Sequence, residues 1–241
     1  FKQKTAYEIS TRDWSSDVCS SDLVVSICNA HSVVTATQDA EFAACLANSD
    51  MATADGAPVA WVLRRQGASQ QRRVSGPDLM IAYCERAAAI GEPVYLFGST
   101  EATLAALQRN LATRMPGLRI AGAESPPFRP ATAEEDAATV ARINASGAGT
   151  VWVSLGCPKQ ELWMARHRPQ VQAVMIGVGA AFDFHAGTVA RAPLWMREAG
   201  LEWLHRLYSE PRRLWRRYLT TNSRFVWGAA RQLLSRTRNS A

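Results

Sequence analysis

Asp55, followed by Gly56 and preceded by the strand-like run 51–54, places a carboxylate on a sharp turn at a sheet edge. A carboxylate there suits a general base that removes a proton from a hydroxyl. Asp-Gly is equally an ordinary tight-turn pair, so the dipeptide alone leaves both readings open. A denser set stands at Gly156-Cys-Pro-Lys-Gln-Glu161, where Gly and Pro shape a loop. Lys159, Gln160 and Glu161 then bring a cation, an amide and a carboxylate within one helical turn. Such a set can bind a uracil edge, sugar hydroxyls or a phosphate, or it is simply the solvated start of a helix. Cys157 invites a nucleophile reading, but no base stands at a spacing that recommends it. Farther on, Gly177, Gly179 and Gly187 surround Asp183 and His185, as expected of a backbone pressed against a ligand. A lone His185 is more often structural.

Gly98-Ser99-Thr100 opens a helix directly after a strand, where backbone N–H groups and the helix dipole can hold a diphosphate. It is neither Gly-x-Gly-x-x-Gly nor a P-loop, and a plain strand-to-helix link is equally consistent. No Asp-x-Asp occurs, which removes the usual cue for a metal-bound nucleotide diphosphate. We therefore expect no metal and no cofactor. Negative charge on a leaving group would be offset by helix termini, Lys159 and arginines, with Arg73 and Arg191 as candidates.

The elements that must carry these residues alternate along the chain. Short apolar runs at 24–28, 51–54, 93–97, 118–121, 150–155 and 173–178 read as strands. Helical spacing covers 32–48, 77–90, 101–114 and 158–167, and Thr132 with Glu135 forms a capping box for a helix to about 146. Strand and helix in alternation predict an α/β fold: a Rossmann-like, mostly parallel sheet with helices on both faces. In such sheets ligands collect at the carboxyl ends of the strands. The segment 177–187 reads as a loop, and 55–58 as a turn.

At 241 residues and 47% hydrophobic, the chain is long enough for one substantial core. The net charge is +6, yet residues 201–241 hold nine Arg against two Glu, so the rest is nearly neutral. The basic tail points to anionic lipid head groups, a lipid-linked pyrophosphate or nucleic acid. On a helical projection Arg212, Arg213, Arg216 and Arg217 fall on one side, and Leu214, Trp215, Tyr218 and Leu219 on the other. This is a basic amphipathic helix, either lying in a membrane surface or docked on the core by its apolar side, and both can hold together. Five cysteines without Cys-x-x-Cys spacing argue against a disulfide framework or zinc site and suit a reducing cytosol. Neither a membrane-spanning run nor an apolar secretory segment is expected. Residues 1–23 are polar and aperiodic, and read either as translated sequencing adapter fused to a truncated reading frame or as a disordered natural tail. The expected organisation is therefore an N-terminal segment outside the fold (1–23), a Rossmann-like core (24–193) and a basic helical appendage (194–241).

Several motifs then align in order over about residues 24–225. Asn29-Ala-His31, Ala54-Asp-Gly56, Arg73-Val-Ser-Gly-Pro-Asp78, Leu96-Phe-Gly98, Gly156-Cys-Pro-Lys-Gln-Glu161, Gly177-Val-Gly-Ala-Ala-Phe-Asp183, Ala186-Gly187, Arg191-Ala-Pro193, Gly200-Leu-Glu-Trp203 and Glu210-Pro-Arg-Arg213 resemble the WecG/TagA/CpsF glycosyltransferases. The resemblance implies a metal-independent, inverting enzyme. It would move a hexose (ManNAc-, Glc- or uronic-type) from a UDP-sugar to a polyprenyl-diphosphate-linked sugar during cell-surface polysaccharide biosynthesis. It carries the family's proposed base onto Asp55, polar site residues onto Asn29, Arg73 and Gln160, and C-terminal arginines onto Arg212, Arg213 and Arg216. Where some members have Thr two residues before the Asn, this chain has Ile27, so Ser26 or Cys28 would have to supply that polar contact.

The combined expectation names Asp55 as base. Asn29, Arg73, Gly98, Ser99, Lys159, Gln160, Glu161, Gly179, Asp183 and Arg191 would bind substrate, and Arg212, Arg213, Arg216 and Arg217 the lipid-linked acceptor. The enzyme would work in the cytoplasm, peripheral on the inner face of the membrane, without nucleic acid; a homo-oligomer stays open. Two alternatives remain at this level: a nicotinamide-dependent Rossmann oxidoreductase, which lacks the glycine fingerprint, and a basic nucleic-acid-binding module.

Overall fold

The computed structural model describes residues 23–239. The expected segment 1–23 therefore lies almost entirely outside the described residues. Six strands, β1 (Val24–Cys28), β2 (Met51–Ala54), β3 (Val94–Gly98), β4 (Ile120–Glu124), β5 (Thr150–Ser154) and β6 (Val174–Gly177), form one parallel sheet in the order β2-β1-β6-β5-β3-β4. Every pairing is parallel. β3 and β5 are buried along their whole length, which is why they read as unbroken apolar runs rather than alternating ones.

Eleven helices are described: α1 (Ala30–Ala36), α2 (Ala40–Ala47), α3 (Ala57–Arg65), α4 (Gly76–Ile90), α5 (Glu101–Arg114), α6 (Ala133–Ala145), α7 (Lys159–His167), α8 (Ala181–Ala186), α9 (Leu194–Glu198), α10 (Glu202–Ser209) and α11 (Pro211–Asn239). Side-chain alternation along the strands divides the core in two. Leu96, Trp152 and Ile176 face α4, α5 and α8 through Met80, Leu107 and Phe182. Tyr95, Phe97, Val151, Val153 and Met175 face α6 and α7 through Ile143, Trp163 and Met164. The helix after β3 thus covers one face and the helix after β5 the other. That reversal opens a crevice between the carboxyl ends of adjacent strands.

Three local expectations are corrected. The helix expected over 32–48 is two, because Asp39 caps α2 by accepting from the Phe42 N–H and Thr37 donates back to the Val34 carbonyl. The turn at 55–58 leads straight into α3, with Pro58 in its first turn and Val59, Ala60 and Val62 buried. The loop expected at 177–187 contains α8, whose Ala181 and Phe182 are fully buried and whose C-cap is Gly187.

The tail is helical, as expected from its periodicity, and its docked face is in part the one the projection suggested: Leu214 is buried and Tyr218 half-buried, but Trp215 and Leu219 are exposed. α11 packs on the core through Leu214, Thr221 and Phe225, with Phe225 in a cluster with Val34, Ala54, Val59, Ala60 and Val62. Val226 and Trp227 are exposed too, as are Arg212 and Arg216. A helix this long carries its apolar contacts over several turns, so the docked stripe is set by the residues past 219 as well. No described helix is long and apolar enough to cross a membrane.

Candidate active site

The carboxyl ends of the strands are tied into one continuous edge by short polar links. Asp55 N–H donates to the Cys28 carbonyl at 2.9 Å, extending the β1–β2 ladder by one residue past β2. Val74 N–H donates to the Ala54 carbonyl, so the segment entering α4 runs alongside. Gly76 packs against β6, where an added Cβ would stand 3.1 Å from the Val178 carbonyl oxygen. Ser154 Oγ donates to the Gly179 carbonyl (2.7 Å), and Ser99 N–H to the Ser154 carbonyl (3.0 Å). Residues 55, 73, 98–99, 154–161 and 177–179 therefore share one rim.

Asp55 keeps 24% of its side chain open to solvent. Burial pushes its carboxyl above the ordinary carboxylate value, opposed by Arg73 and reinforced by Glu202. Arg73 Nε lies 3.5 Å from Asp55 Oδ1, its Nη1 donates to the Arg197 carbonyl at 2.9 Å, and its Nη2 pairs closely with Glu202 Oε2. Glu202 Oε1 is in turn 3.6 Å from Arg191 Nε. Arg191 makes a bidentate pair with Asp78 at 2.6 and 2.8 Å, and Arg197 also reaches Asp78. Arg191 and the Ser75 hydroxyl hold Asp78 well below the usual range, at about 2. Three guanidiniums and three carboxylates thus alternate from Asp55 to Arg197. Glu202, Asp78 and Arg197 were not singled out as site residues from sequence; Glu202 and Asp78 stood within the Gly200-Leu-Glu-Trp203 and Ser-Gly-Pro-Asp78 motifs, and Arg197 in none.

Other expected site residues take more varied places. Asn29 caps α1, its Oδ1 accepting from the His31 and Ser32 N–H groups, while the residue itself stays exposed. Gln160 is only 4% exposed; its Oε1 accepts from Gly179 N–H (3.0 Å) and its Nε2 donates to Glu161 Oε1 (2.9 Å). It therefore positions the β6–α8 turn instead of presenting a free amide. Glu161, 2% exposed, is likewise internal, and burial pushes its carboxyl up. Lys159 is exposed at the start of α7 with no carboxylate partner among the described residues. Asp183 starts α8, and its carbonyl accepts from the Thr188 and Val189 N–H groups.

Gly179 and Gly187 have room beside their Cα atoms, with nothing nearer than 3.8 Å to an added Cβ, whereas Gly177 is packed on the protein itself. A Cβ on Gly177 would stand 2.8 Å from Met164 Cε and 3.0 Å from Gln160 Nε2, so the close approach is to the protein's own side chains. Gly98 is similar: its Cβ would stand 2.4 Å from the Ser154 carbonyl oxygen, and Ser99 beyond it has a left-handed φ of 59°. His185 is structural, its Nε2 donating to the Pro77 carbonyl at 2.8 Å. Ser26 is spent on Ser49, with hydroxyls 2.8 Å apart, which leaves Cys28 as the residue beside Asp55. Burial, reinforced by Glu161, pushes the Cys28 and Cys157 thiols up to about 12. Neither is a ready nucleophile. The described cysteines are all free thiols.

Of the tail arginines, Arg212 and Arg216 are exposed, Arg216 lying over the Trp215 ring. Arg217 turns inward, half-buried, and its charge is felt at His31 and Cys157. The side chain of Arg213 lies outside the described residues. Among the described residues no group of three or more His, Cys, Asp and Glu side chains is placed to hold a metal ion.

A parallel doubly covered sheet, with a half-buried carboxylate and a guanidinium–carboxylate cluster on its carboxyl edge, defines a Rossmann-like α/β fold with a polar site on that edge. The sequence matches the model of the glycosyl transferase WecG/TagA/CpsF family over residues 7–239, nearly its whole length. The chain belongs to that family and is a glycosyltransferase of cell-surface polysaccharide synthesis.

Proposed function

We propose that the protein transfers a hexose, with inversion and without a metal, from a UDP-sugar to a polyprenyl-diphosphate-linked sugar. Asp55 takes the proton of the acceptor hydroxyl as that oxygen bonds the anomeric carbon. The bond from that carbon to the UDP oxygen breaks, and its electron pair leaves with the diphosphate. Arg73, Lys159 and the N–H groups at the start of α5 meet the departing charge. The exposed rim carrying Asn29 and Asp183 orients the sugars, with Gln160 and Glu161 shaping that rim from beneath. The observation that carries this reading is the raised, partly open Asp55 carboxyl beside a guanidinium on the rim.

The outward side of the C-terminal segment supports a peripheral membrane position on the cytoplasmic side. Trp195, Tyr208, Trp215, Leu219 and Trp227 are exposed, as are Arg212 and Arg216, the latter lying over the Trp215 ring. Aromatic side chains interleaved with arginine suit the head-group region of an anionic bilayer. Arg217, half-buried and felt at His31, would meet the acceptor diphosphate on the inner side of α11.

The test is a panel of UDP-sugars with short-chain polyprenyl-diphosphate sugars, in the presence of EDTA, with products weighed by mass spectrometry. Asp55→Asn should lower turnover by about two to four powers of ten while leaving UDP affinity nearly unchanged. Because burial raises the Asp55 pKa, parent turnover should fall as pH drops through a value above 3.8. Turnover retained in Asp55→Asn would end its assignment as the base.

A further inference from the structure

Arg73 is the nearest cation to the proposed base, and how it is held decides what that base can do. A guanidinium facing a carboxylate ordinarily forms a bidentate pair, which depresses the carboxylate pKa by about one to three units. Here that pair is not made. Only Nε points at Asp55, at 3.5 Å, the outer limit of a hydrogen bond. Both terminal nitrogens are drawn away, one to the Arg197 carbonyl and one to Glu202. Glu202 is itself fixed from behind, since Arg191 lies beside its other oxygen and is locked on Asp78. Glu202 and Arg197 both belong to the C-terminal segment, whereas Asp55 and Arg73 belong to the sheet edge.

We propose that Glu202 is a positioning residue of the transfer reaction: delivered by α10, it draws Arg73 off Asp55 and so keeps that carboxylate an effective proton acceptor. The inference rests on the reading of Asp55 as base. The charge count supports it, because the cluster of Arg73, Arg191 and Arg197 with Asp55, Asp78 and Glu202 is balanced. Without Glu202 it carries one excess positive charge, and the released end of Arg73 has Asp55 as its nearest carboxylate. The other charged or titratable groups felt between Asp55 and its surroundings are Glu202 itself, whose charge acts directly on Asp55, and the Cys28 thiol at the end of β1. None of these is a cation that would replace Arg73.

The experiment compares the parent with Glu202→Gln and Glu202→Asp by two readouts. The first is the Asp55 carboxyl titration, followed by carbon NMR of aspartate-labelled protein and assigned with Asp55→Asn. The second is the acid limb of kcat/KM for the acceptor. In Glu202→Gln, both midpoints should move to lower pH by about one unit, and kcat should fall more than KM for the UDP-sugar rises. Glu202→Asp, which keeps the charge on a shorter arm, should move them less and in the same direction. Midpoints that stay in place in a folded variant overturn the proposal, since a merely structural role would lower activity at every pH alike. Should the Gln variant not fold, an unmoved midpoint in the Asp variant overturns it equally. An Asp55 midpoint that moves in a protein with no transferase activity supports the positioning role and sinks the proposed function instead.

Discussion

Phe225→Ala probes whether α11 is a separately releasable part of the fold. Phe225 is 9% exposed and fills a cluster lined by Val34 of α1, Ala54 of β2 and Val59, Ala60 and Val62 of α3. A Phe→Ala change in a closed core costs about 3–5 kcal/mol. This cluster lies at the β2 edge of the sheet, where neighbours from three elements can close part of the gap, so the lower end, about 3 kcal/mol, applies. At roughly 1.4 kcal/mol per tenfold, that is about a hundredfold in a local equilibrium. If α11 opens as a unit, trypsin cleavage after Arg216, Arg217 and Arg224 should accelerate about a hundredfold, provided reclosing outpaces cleavage. Protection of β3 and β5 in hydrogen exchange should change little. Transfer should fall as well, because opening the segment weakens the contact between Glu202 and Arg73. A cleavage rate equal to the parent's would refute the docking argument. Equal loss of protection in the tail and in β3 would show instead that α11 unfolds only with the core.

The remaining predictions concern the base, the buried acid and the outer face. Asp55→Asn should lower turnover by about two to four powers of ten with UDP binding retained, and Glu202→Gln should move the acid limb to lower pH. Glu161→Gln keeps an acceptor for Gln160 and removes a buried charge. A carboxyl whose folded pKa is raised lends stability below its unfolded value of 4.5 and loses it as pH rises through the folded one. Urea unfolding should therefore favour the variant increasingly from pH 4 to pH 8, by about 1.4 kcal/mol per unit of the raise. An equal difference at both pH values would contradict the burial argument. Replacing Leu219 and Trp227 by Ser should reduce sedimentation with anionic vesicles several-fold at about 0.1 M salt without altering UDP binding, and unchanged sedimentation would remove α11 from the membrane contact.

The strands of the sheet were legible because a parallel strand buried on both faces is apolar through its middle, as 151–153 and 94–97 are. Helix starts were legible where a side chain caps locally, as Thr132 and Glu135 do for α6. The carboxylate at the tip of β2 was legible for the same local reason: a strand, a turn and one acid in succession. Short helices were not, since α8 and α3 span too few residues for periodicity to outweigh Pro58 and the flanking Gly56, Gly179 and Gly187. Gln160 read as a binding amide because sequence shows side-chain type and not which atoms are already spent; burial under Gly177 and Gly179 decided that. The docked face of α11 was set by what the core offered it, a hollow for Phe225 beside α1 and α3. Least visible of all was the link from Asp55 through Arg73 to Glu202, whose last two members stand 129 residues apart in the chain. Local chemistry acts between neighbours in sequence, whereas Coulomb attraction depends only on separation in space, and folding alone brings those charges together.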